Sequence, residues 1–101
     1  MTETIHKFQL LPIGLNTMQL PTQCSILSVG EQNGDLMMWV KLDPDRPKGT
    51  YEIAVVGTGW PAPKDDWETG IYWQFIQTVQ MSDGLVWHVF VRVDLNEINN
   101  D

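Results

Sequence analysis

The side chains that could do chemistry in this chain are few and scattered. His6, Cys24, His88 and several aspartates are candidate metal ligands. Structural zinc takes four ligands, usually in two close pairs, and these candidates sit singly on separate predicted strands. No metal and no cofactor is expected. Asp43-Pro44-Asp45 opens like a calcium loop, but Arg46 and Lys48 follow and no glutamate closes the coordination; it reads as a solvated turn. Nucleophilic catalysis wants Cys or Ser beside His and an orienting acid. Cys24 and His88 are the pair to consider, yet His88 lies in an apolar run and reads as a hydrogen-bonded structural histidine. Asp65, Asp66 and Glu68 are the one carboxylate cluster. Acid and base work needs two acids held apart and tuned in opposite directions, so three neighbours in a loop read as a solvated run. No catalytic residue is expected.

Gly57-Thr58-Gly59 could offer backbone N–H groups to a phosphate, with Trp60 stacking on a base. The dinucleotide fingerprint needs a third glycine and a following helix, whereas Trp60-Pro61 follows here. A tight, bulged strand exit explains the glycines, and a nucleotide site at Gly57, Thr58, Gly59 and Trp60 stands as a minor alternative. Trp60, Trp67, Tyr72 and Trp73, beside Asp65, Asp66 and Glu68, form the main candidate for binding. Such aromatics anchor interfaces because they bury large areas at low entropy cost; the competing role is a lid folded over an open end of the domain. Trp39 and Trp87 lie within strands and read as core.

The elements that must position these residues are strands. Period-2 patterns bounded by turn residues recur along the chain, and helix signals are scarce. Strands are predicted at residues 5–11, 17–20, 24–32, 35–43, 50–56, 71–81 and 85–93. Asn33-Gly34 marks a type I′ hairpin between the third and fourth. Leu36, Met38, Val40 and Leu42 share one face of the fourth, opposite Met37, Trp39 and Lys41. The last strand is apolar on both faces and is therefore expected to be central. Pro61 and Pro63 make residues 57–70 a long loop. The fold expected is all-β, a small antiparallel barrel or sandwich of six to seven short strands, with one domain over 1–93 and a polar tail over 94–101 that frays or makes one helical turn.

Thirteen acids against six bases give a net charge of −7, which argues against binding a phosphate backbone. Residues 61–101 carry seven acids and two bases, so −5 of the −7 lies there. That surface serves solubility or recognises a basic partner, at the extreme by imitating a nucleic acid. One cysteine permits no disulfide framework. MTETIHKFQLLPIG lacks the apolar core of a secretory signal, and no apolar run approaches the ~20 residues of a spanning helix. A cytoplasmic, membrane-free protein is the expectation.

Four stretches, IHKFQL, CSILSVGEQNGDLMMWVKLDPD, VVGTGWPAP and FIQTVQMSDGLVWHVF, together resemble a small family of proteins encoded by tailed bacteriophages and classed as a domain of unknown function. The family pattern falls on Pro21 to Gly34, Trp39 to Pro44, Gly57 to Pro61 and Asp83 to Phe90. Two departures stand out: the segment between Pro63 and Ile71 is longer and more acidic than the family's link, and Gln77 stands where a glycine is common. The resemblance supplies no catalytic residues. It implies a phage accessory protein in the cytoplasm of an infected bacterium. The function expected is non-enzymatic binding, and the expected targets are host proteins such as a defence component, which it would inhibit. The contact patch would be Trp60, Asp65, Asp66, Trp67, Glu68, Tyr72 and Trp73. A structural protein of the virion or of a homo-oligomer and a nucleotide-sequestering protein are the alternatives.

Overall fold

The computed structural model describes residues 2–98; the last three residues of the expected tail lie outside them. Among the described residues seven strands form: β1 (Thr4–Leu10), β2 (Gly14–Pro21), β3 (Ser25–Gln32), β4 (Asp35–Leu42), β5 (Lys48–Gly57), β6 (Ile71–Gln80) and β7 (Val86–Asp94), followed by the single turn α1 (Leu95–Ile98). They make two antiparallel sheets, β1-β4-β3 and β2-β5-β7-β6. Neither sheet closes on itself, so the architecture is a sandwich and not a barrel. As expected, β7 is central.

Chain chemistry explains how the strands change sheet. Pro12 ends β1, a tight turn joins Ile13 N–H to the Leu11 carbonyl at 2.9 Å, and Gly14 at φ +95° starts β2. The Asn16 amide holds this corner by accepting from Leu11 N–H and donating to Leu11 C=O, at 2.8 and 2.9 Å. The β3–β4 hairpin turns through Asn33 and Gly34 at φ 53° and 85°, the left-handed pair that a type I′ turn demands.

Alternation then builds the core. Leu36, Met38, Val40 and Leu42 of β4 are buried, facing Ile53 and Val55 of β5 and Trp87, Val89 and Val91 of β7 in one cluster. Trp39 is placed differently from its sequence reading: it stands on the other face of β4, half-buried, with its ring 3.7 Å from where a Cβ on Gly30 would lie. The strand period decides its side, whatever its hydrophobicity. Leu85, the first residue of the last predicted strand, precedes β7 and is exposed; its carbonyl accepts from Met81 N–H at 2.8 Å to close the turn. Asp43 also departs from expectation, being buried with its carboxylate accepting from Asp45 N–H at 3.0 Å. The turn is there, but its first acid is not solvated.

The sheets meet along the β3 and β6 edges. Each of these strands has a bulge, at Ile26/Ser28 and at Phe75/Gln77, and there the Gln77 side-chain carbonyl accepts from Val29 N–H at 3.0 Å. Gln77 thus satisfies a backbone donor on a buried residue of the other sheet. Gln77→Ala leaves that donor unpaired and is expected to lower unfolding stability by about 1–3 kcal/mol, read by urea denaturation; Gln77→Glu, which keeps an acceptor, should retain more of it.

Tyr51 packs against the core from β5. Burial, aided by a hydrogen bond with the Cys24 thiol, pushes its hydroxyl up from 10.0 to about 12. The unfolded chain therefore ionises first: the contribution of this group is complete below pH 10 and is lost as pH rises through about 12. Tyr51→Phe should remove that part of the alkaline decline, seen as a flatter difference curve when urea midpoints of the two proteins are compared from pH 9 to 12.

Candidate functional site

Because β7 lies between β5 and β6 and is antiparallel to both, β5 and β6 run the same way. Parallel strands need a crossover of roughly a dozen residues or more, so the length of Thr58–Gly70 follows from topology. Its composition does not. The crossover passes on the core side of β7, where the Trp60 ring meets Trp87 edge-on at 5.5 Å.

Two turns shape it. In the first, Trp60 N–H bonds to the Gly57 carbonyl at 3.1 Å with Gly59 at φ +89°. The indole lies over Gly57 so closely that a Cβ there would stand 3.0 Å from it. Gly57 is thus part of the packing, because the side a Cβ would occupy is filled by the Trp60 ring. Thr58 is occupied too: its hydroxyl lies 2.8 Å from His88 Nε2, while Thr78 Oγ1 lies 2.9 Å from Nδ1. Both His88 nitrogens have partners, as a structural histidine requires. Cys24 packs on the core with Tyr51, whereas His88 alternates with the buried Trp87 and Val89 and faces outward. The two are not brought together.

The second turn carries the acids. Asp66 and Ile71 exchange backbone hydrogen bonds at 2.8 and 2.9 Å, and Gly70 N–H bonds to Trp67 C=O at 3.3 Å. The Asp66 carboxylate accepts from Thr69 N–H at 3.4 Å, and the Asp65 carboxylate accepts from Trp73 N–H at 2.7 Å. Behind it, Asn96 of α1 donates to the Thr69 carbonyl at 2.8 Å and Leu95 N–H bonds to Gly70 C=O at 2.9 Å. Asp65 and Asp66 therefore brace the loop. Among the described residues, Glu68 makes no hydrogen bond or ion pair. At the tip Trp67 is 64% exposed yet fixed, stacked on Tyr72 at 5.2 Å with the planes 12° apart.

The structure thus gathers Asp65, Asp66, Trp67, Glu68 and Tyr72 around one turn. Trp60 stands apart on Trp87, half-exposed. Trp73 follows Tyr72 along the strand and so points to the opposite face, where it neighbours Arg92. Sequence reasoning passed over Thr69, Gly70 and Asn96, which hold the turn; the φ > 0 preference of glycine before a strand was the available signal.

Among the described residues no group of three or more His, Cys, Asp or Glu could hold a metal ion. Among the described residues, too, no helix is long and apolar enough to cross a membrane. Two shallow clefts, one beside Asp43 and Arg46 and the other between His6 and Lys48, both lie away from the crossover.

Comparison with curated proteins and with solved structures gave no match. A family model described as a domain of unknown function, DUF7352, matches residues 1–100, and the chain, with its two-sheet fold and braced aromatic turn, belongs to that family.

Proposed function

We propose that this domain is a non-enzymatic binding protein whose contact surface is the turn at residues 65–72, flanked by Trp60. The observation that carries the reading is Trp67: a large aromatic at the tip of a loop, exposed yet held by its stack on Tyr72. Ordering a side chain on binding costs about 0.5–1.5 kcal/mol, and here the order exists beforehand. The three acids nearby favour a partner with a basic surface. In the phage setting that the sequence resemblance implies, that partner is a host protein, such as a defence component, which the domain occupies and inhibits in the host cytoplasm.

Affinity capture from a host lysate with wild type, Trp67→Ala and Glu68→Lys tests the reading. Wild type should retain a discrete partner that both variants lose while they remain folded. Equal recovery by all three would remove the turn from the contact surface.

A further inference from the structure

The outer face of the four-stranded sheet is partly apolar and is left uncovered by the rest of the chain. Strand registers set its side chains in rows across β2, β5, β7 and β6. One row reads Leu15, Ala54, Phe90, Phe75; the next reads Thr17, Glu52, Arg92, Trp73. On the other side of the apolar row lie Val56, His88 and Thr78. The crossover covers the opposite face, and Leu15 and Phe75 are left 46% and 54% exposed. Phe75 and Phe90 meet edge-on at 5.6 Å, and Arg92 Nε lies 3.2 Å from the Glu52 carboxylate.

We propose that this face forms a two-fold homodimer, sheet against sheet, about an axis along the strands between β5 and β7. Such an axis sets each row against itself reversed. Ala54, the small residue, then faces Phe90 of the second copy, and Leu15 faces Phe75. Glu52 faces Arg92 and Arg92 faces Glu52, so two ion pairs form a square of alternating sign. An isologous interface requires this self-complementarity, and aligned sheets pack about 10 Å apart in this way.

Charge and area agree. Although each chain carries −7, the charges in these three rows are one acid and one base. Four strands about 4.8 Å apart and seven residues long span roughly 450 Å² on each copy. Side-chain relief raises the accessible area above that plane, bringing the pair to the lower limit of roughly 1,000–1,200 Å² for specific association. The dimer is accordingly expected in the micromolar range.

Sedimentation velocity of the full chain from 1 to 500 µM tests the proposal, with circular dichroism as the fold control. Wild type should shift from monomer to dimer, and Phe75→Asp, at an exposed site, should stay monomeric. Arg92→Glu and Glu52→Arg should each fail to self-associate, because like charges then face each other, whereas an equal mixture of the two should dimerise. Wild type monomeric throughout would overturn the proposal and leave the face to a different partner. A dimer that survives Phe75→Asp, or charge variants that do not recover on mixing, would overturn it as well.

Discussion

Trp87→Ala is expected to lower unfolding stability by about 3–5 kcal/mol, the range for truncating a buried tryptophan. Trp87 stands on the core face of β7 at 9% exposure, between Gly57 of β5 and Val79 of β6 in the strand register. Its removal opens a cavity against a central strand of the four-stranded sheet and takes away the surface on which Trp60 rests. Domains of this size hold roughly 5–15 kcal/mol in all, so the variant should stay folded at 25 °C with its melting point lowered by over 10 °C. Trp60→Ala removes a half-exposed ring and one edge-on contact, for which about 0.5–1.5 kcal/mol beyond lost area is the guide. Urea titrations with unchanged m-values measure both. A loss below about 1 kcal/mol for Trp87→Ala would show that Trp87 is not part of a tightly packed core.

The second large effect is on binding. Trp67→Ala should weaken partner affinity by about 30-fold or more, the 2 kcal/mol expected of an aromatic hot spot. Its stability effect should be small, because the ring is exposed and the stack on Tyr72 contributes only about 0.5–1.5 kcal/mol. The acids need more care than a triple change to lysine. Asp65 and Asp66 accept hydrogen bonds that hold the turn, so lysine there disturbs loop order as well as charge. Asp65→Asn and Asp66→Asn keep an acceptor oxygen and remove only the charge, while Glu68→Lys changes an acid with no bracing role. Titration of each variant against the purified partner separates the effects: weaker binding by the asparagine variants at unchanged stability assigns the role to charge.

Much of the fold was legible because its signals are local. Asn33-Gly34 announces its turn, and the alternation of Leu36, Met38, Val40 and Leu42 states which side of β4 is buried. The apolar character of both faces of β7 marks it as central. What was illegible depends on contacts between distant residues. Nothing local says that β7 inserts between β5 and β6, yet this order makes the long connection obligatory. The composition of residues 57–73 drew notice as a binding loop, and its length proved to have a topological cause. Asp65 and Asp66 looked like free surface charge until the bonds to Trp73 and Thr69 appeared. Two misplacements were avoidable: strand period alone puts Trp39 opposite the core and separates Tyr72 from Trp73. In both, residue type was allowed to outweigh the pleat.

Amide hydrogen exchange of the captured complex, compared with the free domain, tests most directly whether the braced turn is the contact surface. New protection should concentrate on residues 58–73, with β1 and the β3–β4 hairpin unchanged. Protection confined to strand edges or to the hairpin, with the turn exchanging as in the free domain, would contradict it.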